Sequence, residues 1–189
     1  MEGNIIHGDC VSVMRSWEDE TIDLTITSPP YDNLREYKGF SFDFEATARE
    51  LFRITKKGGV VVWVVGDATI DGSETGASFK QALYFMKIGF NLHDTMIYEK
   101  TGFPFPMSNR YYQSFEYMFV FSKGKPKTIN LIKDRKNIYA GEKVAREKGL
   151  RQKNGEVVEN SANRLDKNRV IKDIGIRFNI WRITNSSSK

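Results

Sequence analysis

The segment from Ile22 to Tyr31 constrains the fold more than any other part of the chain. An apolar run, Ile22-Asp23-Leu24-Thr25-Ile26, leads into Thr27-Ser28-Pro29-Pro30-Tyr31. The run predicts a buried strand, and the two prolines fix two φ angles and remove two backbone donors, so the strand must end in a stiff turn. Ligands bind open α/β sheets at the carboxyl ends of their strands. At that edge the turn presents oxygen acceptors and an aromatic ring, which suit a planar ring that carries an exocyclic amino group.

The rest of the chain is predicted to alternate between strands and helices. Its alternation predicts an α/β fold with a largely parallel sheet, whose last two strands form an antiparallel edge. We expect Phe79, Leu83 and Met86 to lie on the core face of the second helix, because their spacing is helical. The predicted strands are 4–7, 22–28, 59–65, 90–99 and 113–122, and the predicted helices are 43–56 and 77–88.

A proline-rich turn with Tyr31 packed on the core is the alternative to a functional site at this segment. However, Ser28-Pro29-Pro30-Tyr31 resembles the catalytic motif of the DNA amino-methyltransferases, which modify N4 of cytosine or N6 of adenine using S-adenosylmethionine. In that family the first position is an acid, asparagine or serine. Serine preceded by threonine resembles the version found mostly in N4-cytosine enzymes, whereas aspartate is the usual N6-adenine choice. Asparagine would instead resemble the enzymes that methylate a protein glutamine.

Four further segments resemble blocks of the β group of this family, in the same order. They are Ile5–Cys10, Gly58–Asp67, Tyr98–Lys100 and Glu116–Pro126. The resemblance implies a Rossmann-like methyltransferase fold that depends on S-adenosylmethionine. It also implies that Ser28, Pro29, Pro30 and Tyr31 are catalytic, and that Asp9, Cys10 and Ser28 contact the cofactor.

Cys10, the only cysteine, is a poor candidate for a nucleophile. Enzymes that methylate carbon 5 of cytosine resemble one another in a Pro-Cys pair, whereas here the acidic Asp9 precedes the cysteine and disfavours a thiolate. We therefore expect Cys10 to be a small packing residue near the cofactor. No metal site is expected, because His7 and His93 are the only histidines and no cluster has ligand spacing.

Charge divides the 189-residue chain near Gly124. Residues 1–123 carry 12 Lys and Arg against 17 Asp and Glu, net −5, whereas residues 124–189 carry 17 against 7, net +10. We interpret residues 1–123 as a catalytic subdomain, 124–179 as a basic DNA-recognition segment and 180–189 as a polar end of the chain. The basic segment is expected to contact the phosphates of double-stranded DNA. The alternative interpretation is that this segment is a solvated arm.

Family members also carry a glycine-rich turn that approaches the methionine part of the cofactor, and no such pattern occurs in this chain. The resemblance therefore implies an incomplete fold, in which two central strands between the Ile5 strand and the Leu24 strand are missing. A second polypeptide, self-association or rearranged strands could complete it, because unpaired strand edges invite association. The hypotheses are an N4-cytosine DNA methyltransferase, its N6-adenine counterpart, and an inactive DNA-binding remnant.

The chain is expected to be cytoplasmic. No apolar run approaches the roughly 20 residues that cross a bilayer. The first residues, Met1-Glu2-Gly3-Asn4, do not form the basic and apolar pattern of a signal peptide.

Overall fold

A computed structural model describes residues 3–30, 42–101, 108–143, 150–151, 153–158 and 170–183. The helices are α1 (Cys10–Arg15), α2 (Phe44–Ile54) and α3 (Ala77–Lys87). The strands are β1 (Ile22–Thr27), β2 (Thr55–Val65), β3 (Thr69–Ile70), β4 (Ser73–Glu74), β5 (Asn91–Lys100), β6 (Phe115–Ser122), β7 (Lys133–Lys136), β8 (Leu150–Arg151), β9 (Val157–Val158), β10 (Ile174–Ile176) and β11 (Ile180–Ile183).

The chain divides into two units, one of residues 1–129 with 179–189 and one of residues 130–178. The first unit contains a five-stranded mixed sheet in the order β1-β2-β6-β5-β11. β1 pairs in parallel with β2, and β11 pairs in parallel with β5. β6 lies between β2 and β5 and is antiparallel to both. The predicted antiparallel pairing of β5 and β6 is confirmed, but their predicted place at the edge is wrong, since β6 is an interior strand and β5 also pairs with β11.

The second unit contains the antiparallel pair β7 and β10. Arg135 crosses between these strands, since its Nε donates to the Ile176 carbonyl, and its guanidinium lies 4.4 Å from the centre of the Phe178 ring. Arg177 forms an ion pair with Asp134.

The core of the first unit lies where α2 and α3 pack on the sheet. Trp63, Phe85 and Phe121 are fully buried there. The rings of Phe85 and Phe121 stack at 4.6 Å, and the ring of Phe85 meets Trp63 edge to face at 5.0 Å. Contacts of this kind add to the burial of apolar area, so the cluster packs β2 and β6 against α3.

Three expectations about the elements are wrong. Residues 4–7 do not form a strand, and Ile5 is fully exposed there. The helix predicted over 43–56 ends at Ile54, because the chain turns extended at Thr55 and enters β2. On α3 the buried face contains Ser78, Ala82 and Phe85, whereas Phe79, Leu83 and Met86 are exposed.

Two buried serines of this unit make a matched test of hydrogen bonding. The Ser78 hydroxyl donates to Asp67 Oδ2 at 2.5 Å, and the buried Asp67 carboxylate also accepts the Ser78 N–H. Ser122 Oγ is buried and has no hydrogen-bond partner among the described residues. We expect Ser78→Ala to lower the free energy of unfolding by about 1–3 kcal/mol, because it removes a donor from a buried charge, and Ser122→Ala to leave it unchanged or raise it. Urea denaturation followed by circular dichroism measures both, and equal losses would contradict the assignment.

Candidate functional site

The loops that follow the parallel strands start at one edge of the sheet. β1 and β2 run in the same direction. β5 also runs in this direction, because β2 and β5 are both antiparallel to β6. The segment after Thr27, the β3–β4 hairpin after Val65 and the loop after Lys100 therefore start at the same edge. Carboxyl edges of this kind are where α/β proteins bind ligands.

The turn after β1 reaches this edge as the sequence predicts. Thr27 lies opposite Trp63 of β2, and β1 ends there. Ser28 is exposed, Pro29 is buried and Pro30 is half-buried. Tyr31, the fourth predicted catalytic residue, lies outside the described residues. Ser28, Pro29 and Pro30 all line a cleft of about 800 Å³, which we call the β1 cleft.

The predicted cofactor residues lie at the start of α1. Asp9 is the N-cap of this helix, and its Oδ1 accepts the Ser12 N–H at 2.8 Å. This hydrogen bond is the main reason that the pKa of the Asp9 carboxyl lies below its usual value. Cys10 lines the β1 cleft, with its Sγ 3.8 Å from Thr47 Oγ1. It is exposed, so the expectation that it is a packing residue is wrong. The structure thus brings Cys10 and Ser28 to one cleft, with Asp9 next to Cys10 in the chain.

The walls of the β1 cleft are largely apolar, and several of them face solvent. Leu24 and Ile26 of β1 are 54% and 69% exposed, and Ile6 is also exposed. Trp63 and Phe42 stack at 6.4 Å and also line the cleft. Among the described strands β1 is at the end of the sheet and pairs only with β2, next to these side chains. A volume of this size with apolar walls and a few polar groups is typical of a small-molecule site.

Trp63 lines the β1 cleft, although the sequence analysis does not single it out. Its indole Nε1 donates to Gln81 Oε1 at 2.8 Å, which fixes the ring beneath the cleft. The parallel pairing of β1 and β2 could have predicted its place, because a residue near the end of β2 must lie beside the end of β1. The sequence carries no comparable signal for Gln81, which contacts Trp63 from a helix 18 residues later.

Tyr117 is a further titratable group near this edge, opposite Val65 of β2. Burial, aided by the charges of Asp67 and Glu74, raises the pKa of its hydroxyl. The ring stacks on Phe119 at 5.4 Å. Tyr117 is therefore a neutral group at physiological pH and part of the wall of aromatic residues on β6.

In the part of the chain that the structure describes, no group of three or more His, Cys, Asp or Glu residues could hold a metal ion. None of the helices in the described ranges is both long and apolar enough to span a bilayer.

Comparison with known proteins points to one protein family. A family model described as DNA methylase matches residues 22–189. The orphan methyltransferase M.BamHII of Bacillus amyloliquefaciens is 63% identical over 171 residues, which are 90% of this chain and 63% of that protein. A putative DNA modification methylase from Thermus thermophilus, solved with S-adenosylmethionine, has a TM-score of 0.51 at 26% identity, over 65% of this chain and 55% of that one.

The fold is shared more widely than the sequence. PvuII DNA methyltransferase, described as cytosine-N4-specific, has a TM-score of 0.58 at 18% identity, over 96% of this chain and 57% of that one. The chain spans less than two thirds of the length of each of these three proteins. The prediction of a Rossmann-like α/β methyltransferase fold is confirmed, and the sheet described above corresponds to a part of it.

Proposed function

Because this chain belongs to the DNA methylases of the N6/N4 family, we propose that it transfers a methyl group from S-adenosylmethionine to the exocyclic N4 of cytosine in DNA. The observation that carries the proposal is the turn Ser28-Pro29-Pro30, which ends β1 at the carboxyl edge of the sheet and lines the β1 cleft. Its hydroxyl and carbonyl oxygens are acceptors, as an amino group requires. The serine in the first position is the reason for choosing cytosine over adenine.

The chemistry begins with access to the base. An amino group that is paired inside a duplex is unreachable, so the base must swing out of the helix, at a cost of a few kcal/mol. We propose that Tyr31 supplies the stacking surface for the extruded ring. The amino group then donates hydrogen bonds to the Ser28 hydroxyl oxygen and the Pro29 carbonyl oxygen. These bonds favour a pyramidal nitrogen, whose lone pair is available to accept the methyl group. Positioning of this kind supplies most of the catalysis and needs no covalent enzyme intermediate.

The β1 cleft suits the cofactor that we propose. Its volume of about 800 Å³ lies in the range of small-molecule sites, and its apolar walls suit an adenine ring. Asp9, Cys10 and Ser28 would hold the cofactor from one side. S-Adenosylmethionine, when bound, supplies the methyl group on its sulfonium. The chain's own residues orient the base towards that methyl group and exclude water behind the apolar walls.

We place the DNA contacts in the basic segment 124–179. In the second unit Lys133, Lys136 and Lys172 are exposed, and none of the three pairs with a carboxylate of the described residues. Lysines without acidic partners attract phosphates, and each phosphate that is neutralised releases counterions.

Binding to duplex DNA should therefore weaken steeply as salt rises. We expect Lys133→Gln, Lys136→Gln and Lys172→Gln together to reduce the slope of log affinity against log salt by up to about three, since each lost phosphate contact removes about 0.9. Fluorescence anisotropy at several salt concentrations measures the slope. The matched control is Lys80→Gln with Lys87→Gln on α3, where both lysines are exposed. An unchanged slope in the variant of Lys133, Lys136 and Lys172 would mean that these lysines do not contact the DNA phosphates.

We further propose that a polypeptide with a glycine-rich turn, or a second copy of this chain, covers the open side of β1. β1 has one hydrogen-bonded neighbour among the described strands, and Leu24 and Ile26 are exposed beside it. Apolar edge strands of this kind associate.

The isolated chain is accordingly expected to bind S-adenosylmethionine weakly or not at all in calorimetry, and to form species larger than a monomer in sedimentation. The control is a chimaera in which this chain replaces the matching part of the Bacillus amyloliquefaciens relative, so that the unmatched part of that protein is supplied. Micromolar binding of S-adenosylmethionine by the chimaera, without comparable binding by the isolated chain, supports the proposal. Micromolar binding by a monomer of the isolated chain would show that the cleft is complete without a partner.

A further inference from the structure

A second cavity, of about 460 Å³, lies at the other end of β2. Ile22, at the start of β1, pairs with Thr55, whereas Thr27 pairs with Trp63 next to the Ser28 turn. Gly58 lines the second cavity, so this cavity lies near the start of β2, at the end away from the Ser28 turn. Its lining contains four lysines, two glycines and Phe52, and no acidic residue is among the described residues that line it. We call it the lysine cavity.

Two glycines shape the backbone of the lysine cavity. Gly58 and Gly124 adopt φ of 80° and 75°, the left-handed region that favours glycine. The Gly58 N–H donates to the Lys123 carbonyl at 2.6 Å, and the Lys127 N–H donates to the Gly58 carbonyl at 3.1 Å. These bonds join the turn within β2 to the segment after β6. Lys57, Lys125 and Lys127 are thereby held around one concavity although they come from two parts of the chain.

The four lysines differ in how their charge is compensated. Lys123 Nζ donates to the Phe52 carbonyl at 2.9 Å and pairs with Glu20 at 3.3 Å. It also lies 4.7 Å from the centre of the Phe52 ring. Lys57, Lys125 and Lys127 are exposed, and within the described ranges none of them forms an ion pair. Three lysines that line the cavity therefore have no carboxylate partner among the described residues.

We propose that the lysine cavity is a binding site for phosphate groups, separate from the β1 cleft. Ammonium groups are point-charge donors that suit phosphate oxygens, and charge-assisted bonds of this kind are about twice as strong as neutral ones. Gly58 and Trp63 are five residues apart on β2, or about 17 Å at the usual rise of a strand. This distance exceeds the screening length of about 8 Å at physiological salt, so charge at the lysine cavity acts only weakly on the Ser28 end of the β1 cleft. The phosphate comes either from a nucleic-acid stretch away from the Ser28 turn or from a free phosphate compound.

Lysine acetylation of the full chain, read by mass spectrometry, tests the site. The probe is inorganic pyrophosphate, compared with sodium chloride at equal ionic strength. We expect acetylation of Lys57, Lys125 and Lys127 to slow about tenfold when the site is nine-tenths occupied, because bound lysines do not react. Acetylation of Lys80 and Lys87, both exposed on α3, should not change. Equal slowing at all five lysines, or none at the three, would overturn the proposal.

A variant with Lys57→Gln, Lys125→Gln and Lys127→Gln provides the second test. All three side chains are exposed, so its melting temperature should match that of the parent chain. Its affinity for pyrophosphate should fall by about tenfold or more, since three exposed ion pairs are lost together. The control with Lys80→Gln and Lys87→Gln should keep its affinity. A triple variant that binds pyrophosphate as tightly as the parent chain would refute the site.

Duplex DNA in place of pyrophosphate separates the two sources. Slower acetylation of the same three lysines by both probes identifies a nucleic-acid backbone as a ligand. An effect of pyrophosphate alone identifies a free phosphate compound, and either result supports a phosphate site. The absence of an effect from both probes would eliminate it. The proposed methyl transfer is tested separately at the β1 cleft, and the DNA contacts proposed for Lys133, Lys136 and Lys172 are tested separately by the salt slope.

Discussion

Replacing Ser28 by alanine in the chimaera is expected to lower the rate of methyl transfer by about 100-fold or more, the usual effect of removing one hydrogen bond that acts in the transition state. The hydroxyl lies at the carboxyl end of β1 in the β1 cleft, where the amino group of the base must approach. Transfer of a labelled methyl group from S-adenosylmethionine to duplex DNA measures the rate.

The matched control is Thr21→Ala, one residue before the start of β1. The Thr21 hydroxyl donates to the Glu18 carbonyl and takes no part in the β1 cleft, so its loss should leave the rate unchanged. Tyr31→Ala should also reduce transfer, since stacking of a base on an aromatic ring contributes about 1–3 kcal/mol, whereas Tyr31→Phe should retain it. Full activity of Ser28→Ala would show that the Ser28 hydroxyl does not act in methyl transfer.

Trp63→Ala is expected to lower the free energy of unfolding by about 3–5 kcal/mol, which is a large part of the roughly 5–15 kcal/mol that stabilises a typical domain. The side chain is 1% exposed, packs edge to face against Phe44 and Phe85, and donates to Gln81. Its removal leaves a cavity and an unsatisfied amide oxygen, and both are destabilising.

Urea denaturation followed by far-ultraviolet circular dichroism measures this loss without relying on the deleted fluorophore. Leu83→Ala is the control, because Leu83 is 65% exposed and its truncation should cost little. A loss for Trp63→Ala as small as that for Leu83→Ala would mean that Trp63 is not the centre of the core.

The sequence predicted the part of the fold in which local chemistry leaves few choices. The apolar run and the two prolines dictate a strand that ends at Ser28, and β1 ends at Thr27. The family membership inferred from the same motif is confirmed. The roles of Ser28, Pro29, Pro30 and Tyr31, and of Asp9 and Cys10, stay predictions, as does the division of the chain at Gly124.

Periodicity could not choose the buried face of α3. Phe79, Leu83 and Met86 have the same spacing as Ser78, Ala82 and Phe85, one position earlier. The second set is buried because small residues let the helix approach the sheet closely around Phe85, and because Ser78 reaches the Asp67 carboxylate. Both contacts involve other elements of the fold, so the periodicity of α3 alone cannot predict its buried face.

The strand predicted at residues 4–7 failed for a related reason. Its apolar residues have strand propensity, but a strand also needs a partner whose backbone groups it can bond. Among the described strands none pairs with these residues, and Ile5 and Ile6 are exposed. The position of β6 between β2 and β5 likewise depends on pairing across the sheet, which the order of elements in the chain does not fix.

The identity of the methylated base tests the central claim most directly. Duplex DNA treated with the chimaera and S-adenosylmethionine is digested to nucleosides and analysed by mass spectrometry, with the Ser28→Ala chimaera as the control. The turn led by Ser28 predicts N4-methylcytosine from the chimaera and little or none from the control. N6-methyladenine alone, or no methylated base from a folded chimaera that binds the cofactor, would contradict the claim.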